Sequence, residues 1–192
     1  MITSDVHDPE RLGAEYGPVA QRTLVAHGGR VLGTGSQQFA PEGGILRGRN
    51  LLLELPDLDA VARWYADPEY VASHHVRDET STTSAVGVAG LDATSTGGAF
   101  VVGTLELTDP ERFRDEYLPP TFALIEGHGG RMLVAGGDSI SLCGNDFLAR
   151  NVVFEFDDLD TAIGWYNDPE YAPLITLRQQ ITKGDLVIIS AA

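Results

Sequence analysis

Residues 8–91 recur at 109–192 without a gap, and this duplication constrains the fold of the chain more than any other feature. At a constant offset of 101, 28 of the 84 aligned positions are identical. A unit of this length indicates a duplicated domain, because solenoid units usually have about 20–50 residues. Two copies of one domain can enclose a pseudo-symmetric cavity. Positions at which the copies differ indicate where one side is specialised.

The identical positions fall in blocks, which predicts equivalent local structures in the two copies. The blocks are residues 8–11 with 109–112, 27–30 with 128–131, 64–65 with 165–166, and 67–70 with 168–171. We therefore predict a first repeat at residues 1–91 and a second repeat at 99–192. The segment between them, 92–98, is rich in Gly, Ser and Thr and is predicted to be a linker.

Composition and charge restrict the partners of the chain. The net charge is −15 and no basic patch is visible, which argues against a nucleic-acid partner. No apolar run approaches the ~20 residues that span a bilayer, so no membrane partner is expected. No signal peptide is visible either, and we expect a cytoplasmic protein. The single cysteine, Cys143, excludes an intrachain disulfide.

The second repeat has the more complete pattern of helices and strands. Its four strands are predicted at 99–107, 131–136, 150–156 and 186–189. Asp109 and Asp158 are N-caps of its two main helical regions. Pro119 and Pro120 predict a kink or break in the first of these, because proline has no backbone donor. The order βαββαβ is ferredoxin-like.

The first repeat follows the same order, although only residues 1–6 are present for its opening strand. Alternation in the third strand of each repeat places apolar side chains on one face. The other face carries Asn50 and Glu54 in the first repeat, and Asn151 and Glu155 in the second. If two such sheets pack face to face, these polar pairs share one internal space.

Residues at matching positions of both repeats resemble the family named domain of unknown function 1330. In the second repeat, nearly all of which is covered, they are Tyr117, residues 129–131 and 153–156, Ala162, Trp165, Tyr166, residues 168–171 and Arg178. In the first repeat, covered over about 8–88, they are Tyr16, residues 28–30, Glu54, Trp64, Tyr65, residues 67–70 and Arg77.

This resemblance implies an α+β fold of the dimeric α+β barrel superfamily, in which two ferredoxin-like units pack sheet to sheet. Single-domain relatives build the barrel from two chains, whereas this protein is expected to build it from one. The family has no general activity. Related families include cofactor-independent quinone-forming monooxygenases, polyketide cyclases, muconolactone isomerase-like enzymes and haem-dependent peroxidases. They share the cavity between the sheets rather than one set of catalytic residues.

Glu54 and Glu155 are candidate general bases, since a glutamate that faces a cavity can have a raised pKa. The alternative is a structural ion pair with one of the duplicated arginines, which are Arg49, Arg150, Arg77 and Arg178. Arg49 and Arg150 are also candidate partners for oxyanion charge that develops during a reaction. Further candidates for substrate contact are the duplicated pairs Asn50 and Asn151, and Tyr16 and Tyr117. The alternative for the asparagines is to tie down a neighbouring loop, and the alternative for the tyrosines is core packing.

Four of the five histidines form a duplicated pair and an unduplicated pair. His27 and His128 stand at helix ends, where they can act as caps or as substrate contacts. His74 and His75 occur only in the first repeat, and histidine exchanges protons near neutral pH. They are therefore candidate acid/base groups of a specialised half-site, and surface drift is the alternative.

These observations predict a small-molecule-binding barrel, and we expect a cofactor-independent isomerase, cyclase or related proton-transfer enzyme. Its substrate would be an oxygenated cyclic or polyketide-like compound. The alternative is a non-catalytic ligand-binding or accessory protein. No cofactor or metal is predicted, because zinc-ligand spacings and a dinucleotide fingerprint are absent. Haem ligation by one of the five histidines stays an open alternative, although none of them stands out. A third hypothesis is a homodimer, because a truncated first strand could leave a sheet edge open.

Overall fold

The computed structural model describes residues 1–42, 44, 46, 48–91 and 94–192. The strands of the first repeat are β1 (Ile2–Val6), β2 (Arg30–Phe39), β3 (Arg49–Glu54) and β4 (Ser81–Val88). Helix α1 comprises the successive segments Pro9–Arg11, Leu12–Tyr16 and Gly17–Ala26, and it is followed by α2 (Leu58–Tyr65) and α3 (Pro68–Thr80).

The second repeat has the same elements and one more strand. Its strands are β5 (Ala99–Leu107), β6 (Arg131–Ala135), β7 (Ser139–Cys143), β8 (Arg150–Phe156) and β9 (Thr182–Ala191). Its helices are α4 (segments Pro110–Arg112, Phe113–Tyr117 and Leu118–Gly127), α5 (Leu159–Tyr166) and α6 (Ala172–Ile181). The four predicted strands are confirmed, whereas β7 was not predicted.

The predicted helix break takes the form of a π turn in the middle of α4. The Leu118 N–H donates to the Phe113 carbonyl, five residues earlier, and Pro119 follows directly. Because Pro119 and Pro120 have no N–H, a regular helical ladder cannot continue through them, and the wider turn takes up the mismatch. Helix α1 contains the same turn. The predicted N-caps Asp109 and Asp158 are confirmed, since both side chains accept backbone N–H bonds.

All nine strands form one antiparallel sheet in the order β6-β8-β5-β9-β2-β3-β1-β4-β7. The order β2-β3-β1-β4 is that of a ferredoxin-like unit, and β6-β8-β5-β9 is its counterpart in the second repeat. The end strands β6 and β7 are joined by residues 136–138 only, so the sheet curls back on itself. The predicted fold class, two ferredoxin-like repeats in one α+β barrel, is confirmed.

Strands of one repeat pair with strands of the other at two equivalent junctions. Phe39 of β2 pairs with Ile188 of β9, and Ile140 of β7 pairs with Gly87 of β4. These four residues match each other at the offset of 101. Strand β1 lies between β3 and β4 and is bonded to both, so the premise that a truncated first strand leaves an open edge is wrong.

Apolar clusters lie on both faces of the sheet. The inner cluster contains side chains of both repeats, including Leu52, Val86 and Val153. On the outer face, the helices of the second repeat cover a large cluster around Trp165. The buried cluster at the equivalent place in the first repeat has three residues, which are Leu24, Trp64 and Tyr70.

Candidate functional site

A pocket of about 280 Å³ lies between the helices and the sheet of the first repeat. Leu12 of α1, Leu53 of β3 and Ala85 of β4 contribute to its apolar walls, and Ser4 of β1 lines it as well. Arg77 of α3 also lines it. We refer to this space as the helix-side pocket. Its volume lies near the lower end of the ~300–1,000 Å³ that is usual for ligand sites.

The equivalent space in the second repeat is filled. Only about 20 Å³ is left there. Four residues of the helix-side pocket are replaced by larger ones at the offset of 101, namely Leu12 by Phe113, Ser4 by Leu105, Leu53 by Phe154 and Ala85 by Leu186. The same backbone therefore holds a pocket in one repeat and a packed core in the other.

Aromatic side chains form one wall of the helix-side pocket. The Trp64 and Tyr70 rings stack with their centroids 4.5 Å apart. The hydroxyl oxygens of Tyr16 and Tyr70 are 2.6 Å apart, so the predicted candidate Tyr16 contacts both the pocket and a second hydroxyl. Burial, followed by Tyr16, raises the pKa of Tyr70, which is therefore a neutral phenol at physiological pH.

His74 packs behind this wall. Its ring meets Tyr70 edge to face, with the centroids 4.6 Å apart, and it also contacts Tyr65. Burial, with a smaller effect of Arg77, lowers the pKa of His74. Its Nε2 atom is buried and has no hydrogen-bond partner among the described residues. His75 is exposed and its Nδ1 lies 2.8 Å from the Ala72 carbonyl oxygen, so the structure does not bring His75 to the pocket.

Arg77 is the buried cationic group of the helix-side pocket, which the exposed Arg49 also lines. The Arg77 side chain is only 8% exposed, and its Nε and Nη2 atoms each lie 2.8 Å from the exposed carboxylate of Asp78. Nη1 donates to the Tyr65 hydroxyl at 3.3 Å. Burial, and next the nearby Cys143 thiol, raise the pKa of Tyr65 to about 12.

The second repeat satisfies the equivalent arginine differently. The fully buried Arg178 forms an ion pair with Glu42, whose carboxylate also accepts a hydrogen bond of 2.8 Å from Tyr166. Glu42 belongs to the first repeat and so crosses the junction to reach Arg178. Its own equivalent at the offset of 101 is Cys143, which lies beside Tyr65. The sequence analysis did not predict the ion pair of Glu42 and Arg178, although the repeat alignment shows that Glu42 and Cys143 occupy equivalent positions.

A second, wider cavity of about 580 Å³ lies at one end of the barrel interior. Leu52, Val86 and Val153 form part of its apolar wall, and Glu54 lines it. Glu54 forms an ion pair with Arg30, in which the Nε and Oε2 atoms are 2.5 Å apart. The polar faces of the two third strands therefore do look inward, but Glu54 is already paired there.

Glu155 is more strongly held than Glu54. It is 4% exposed, is ion-paired with Arg131, and accepts a hydrogen bond of 2.7 Å from the Ser95 hydroxyl and one of 3.0 Å from the Gly97 N–H. Burial acts to raise its pKa, but the bonds from Ser95, Arg131 and Gly97 outweigh it, and the pKa of Glu155 is lowered. This shift is opposite to that of a general base with a raised pKa. The arginine partners come from the Gly-Gly-Arg segments, not from the four duplicated arginines considered above.

The candidate asparagines and arginines of the third strands separate onto opposite faces. The Asn50 side-chain amide donates to the carbonyls of Leu46 and Gly48, and that of Asn151 donates to the Leu148 carbonyl, so both hold nearby loops. Arg49 lines the helix-side pocket. Arg150 lies over the Phe113 ring at 5.5 Å, at the equivalent place in the second repeat. Arg49 and Glu54 therefore do not form one site.

His27 and His128 occupy helix C-caps, and each pairs with an aspartate; Asp67 is the N-cap of α3, whereas Asp168 precedes a turn before α6. The distances are 3.0 Å from His27 to Asp67 and 2.9 Å from His128 to Asp168. Neither histidine is among the residues that line the helix-side pocket. The hydroxyl of Tyr117 is 2.9 Å from that of Tyr171 within the packed core.

A family model with the description domain of unknown function (DUF1330) matches the chain twice, over residues 1–91 and 98–192. The chain belongs to the DUF1330 family. No curated protein matches it in sequence.

Two solved structures resemble this double DUF1330 chain. One is a candidate monooxygenase of Lactobacillus acidophilus NCFM, with a TM-score of 0.53 and 12% identity over 99% of this chain and 92% of that one. The other is a candidate monooxygenase of Fusobacterium nucleatum subsp. nucleatum ATCC 25586, with a TM-score of 0.49 and 10% identity over 99% and 90%. At this identity the first likeness shows the barrel fold alone.

Two further properties concern the described part of this DUF1330 protein. No helix there is long and apolar enough to cross a membrane. Within the same residues, no three His, Cys, Asp or Glu side chains gather into a group that could hold a metal ion.

Proposed function

We propose that the protein binds a small, largely apolar molecule in the helix-side pocket of the first repeat. One observation carries this proposal: the same fold leaves about 280 Å³ between helices and sheet in the first repeat and about 20 Å³ in the second. An empty apolar cavity lowers stability by roughly 24 cal/mol per Å³, so a ligand that fills it recovers contacts. The Trp64 and Tyr70 rings supply a flat apolar wall for it.

The two tryptophans allow a direct test, because one lies in each repeat. Trp64 lines the helix-side pocket and Trp165 is fully buried in the packed core. The protein would be labelled with 5-fluorotryptophan and titrated with octanoate, octanamide and 1-octanol. We expect at least one of these probes to shift the ¹⁹F resonance of Trp64 and to leave that of Trp165 in place. Trp64→Phe assigns the two resonances.

A pocket-filling variant completes the test. Ser4→Leu with Ala85→Leu installs the residues of the second repeat, and we expect the ligand-induced shift of Trp64 to disappear. Ala62→Leu, the same enlargement at an exposed position of α2, should leave the shift unchanged. The proposal is overturned if none of the probes shifts Trp64, or if the filled variant responds like the parent protein.

A second candidate function is a proton-transfer enzyme of the isomerase or cyclase type, for an oxygenated cyclic or polyketide-like compound. The observation that favours it is the contact series Tyr16–Tyr70–His74, which links two phenols to an imidazole with a lowered pKa. Glu54 and Glu155 stay predictions as bases, although each is already paired with an arginine. A non-catalytic binding protein is the alternative to this enzyme.

Deuterium exchange separates an enzyme from a binding protein. The probe is 2-tetralone, a cyclic ketone whose α C–H bonds exchange with D₂O once a base removes the proton. An enzyme should accelerate the exchange above the buffer rate, and Tyr70→Phe or His74→Leu should slow it. Glu54→Gln and Glu155→Gln test the two carboxylates in the same assay. Binding of 2-tetralone without acceleration supports the non-catalytic alternative.

A further inference from the structure

We infer that the ligand of the helix-side pocket is a carboxylic acid, bound through its carboxylate to Arg77. This inference rests on the proposed function and adds the chemical class of the ligand. It comes from a comparison of two equivalent arginines in one chain. Arg77 and Arg178 are both more than nine-tenths buried. Arg77 donates to the hydroxyl of Tyr65, whereas the Tyr166 hydroxyl donates to the carboxylate that pairs with Arg178. Both tyrosines belong to the duplicated Trp-Tyr motif.

In the second repeat a carboxylate of the protein itself occupies this position. Glu42 is 7% exposed at its side chain, accepts from Nη1 of Arg178 at 3.0 Å and also pairs with Nη2. The Tyr166 hydroxyl donates to the same carboxylate. A guanidinium fork and a phenol therefore converge on one anion, which is the geometry that recognises carboxylates most strongly.

In the first repeat the guanidinium and the phenol are kept, but the carboxylate is not. Cys143 stands at the position of Glu42, and its thiol donates a hydrogen bond of 3.6 Å to the Thr83 carbonyl. The carboxylate that pairs with Arg77 is Asp78, whose side chain is 63% exposed, so water weakens its attraction. The contacts with Asp78 and Tyr65 do not use all five donors of the guanidinium.

The exchange of Glu42 for Cys143 coincides with the opening of the pocket. The enlarged space begins where Arg77 and Tyr65 line it and continues along the apolar side chains of Leu12 and Leu53. A monocarboxylic acid matches both parts, because its carboxylate takes the place of the missing glutamate and its apolar body fills the space. Burying the anion beside a cation already removed from water avoids an uncompensated charge.

Paired probes test the carboxylate. Octanoate and octanamide have the same chain and differ in charge, and their affinities would be measured at pH 7 from the Trp64 ¹⁹F shift and by calorimetry. We expect octanoate to bind at least about tenfold more tightly, which corresponds to one charge-assisted interaction. Arg77→Met should abolish this preference by weakening octanoate alone.

Cys143→Glu is the sharper variant, because it adds a group instead of removing one. The new carboxylate should occupy Arg77 as Glu42 occupies Arg178, so we expect octanoate binding to fall to or below the level of octanamide. Cys143→Gln has the same length without the charge and should keep the preference for octanoate. A thermal melt of each variant confirms folding, and Cys143→Glu tests the inference even if Arg77→Met does not fold.

The outcomes distinguish this inference from the function on which it rests. If neither probe nor 1-octanol shifts Trp64, the pocket is not a ligand site and both proposals fail. If octanoate and octanamide bind equally, or if Cys143→Glu keeps the preference for octanoate, the pocket binds ligands but the carboxylate inference is overturned.

Discussion

The second repeat fills the space between its helices and its sheet with side chains, whereas the first repeat keeps a pocket there. The identical blocks hold the helices, caps and strands in the same places in both repeats. The differences that bear on the pocket lie in side-chain volume, as at Ser4 and Leu105, and in charge near the two arginines, at Glu42 and Cys143 and at Asp78 and Gln179. The second repeat therefore serves as an internal reference that shows what the first repeat lacks.

This comparison separates stability from binding. A packed core with a buried arginine that pairs with an equally buried carboxylate contributes to stability and leaves no room for a ligand. A pocket with a buried arginine whose carboxylate partner is exposed loses some of that stability and gains a surface that can recognise another molecule. In one chain, the first arrangement can support the fold while the second takes on the function.

The largest effect is expected from Glu42→Ala. This change leaves Arg178 buried without its carboxylate, and breaking such a pair typically lowers the free energy of unfolding by ~3–5 kcal/mol. The equivalent change in the other site, Cys143→Ala, should lower it by less than ~1 kcal/mol. Urea unfolding of the two variants measures the difference. Equal losses would contradict the comparison, because they would show that Arg178 depends on Glu42 no more than Arg77 depends on Cys143.

The second-largest effect is expected from changes in side-chain volume in the core. Leu186→Ala removes a fully buried side chain from the packed core and should lower the free energy of unfolding by ~2–5 kcal/mol. The reverse change at the equivalent position, Ala85→Leu, places a larger side chain into an existing space and should change it by less than ~1.5 kcal/mol. If Ala85→Leu is as costly as Leu186→Ala, the first repeat has no room at this position.

A smaller effect is expected at the paired tyrosine hydroxyls. Tyr171→Phe leaves the buried Tyr117 hydroxyl without this partner and should lower the free energy of unfolding by ~1–3 kcal/mol. Tyr70→Phe should cost less, because Tyr16 is only partly buried and borders the pocket, where water can replace the bond. Chemical denaturation of both variants in parallel tests this order.

The smallest effect is a dependence on alkaline pH. The pKa of Tyr65 is raised from 10.0 to about 12, so the folded state holds this proton more tightly than the unfolded state. Its contribution is complete below pH 10 and is lost as the pH rises through about 12. Tyr65→Phe should therefore flatten the decline of stability between these values. An unchanged decline in the variant would assign it to other groups.

The sequence predicted the helices, strands and fold class better than it predicted the candidate site. Asp109 and Asp158 identify helix starts through local hydrogen bonds, and the alternation in β8 shows which face meets the helices. These signals are local, so one sequence is enough to recognise them. The inward direction of Glu54 and Glu155 was correct for the same reason.

The missed features all depend on contacts between distant segments. Strand β7 has only five residues, and it is a strand because it pairs with β4 of the other repeat. Ser95 and Gly97 lie in the predicted linker, yet they hold Glu155 in place. Glu42 reaches an arginine that lies 136 positions away in the chain. Periodicity and capping cannot reveal such partners.

Glu42 belongs to the first repeat but pairs with an arginine of the second. This pairing between repeats has a consequence for how the two copies can diverge in sequence. In a dimer of identical chains, a mutation of this glutamate would remove both carboxylates at once and would leave two buried arginines unpaired. Once two copies are joined in one gene, each is inherited separately. A single codon, that of Cys143, can then differ in one site while the codon of Glu42 still supports the other. Fusion of the two domains thus permits a change that symmetry would make too destabilising.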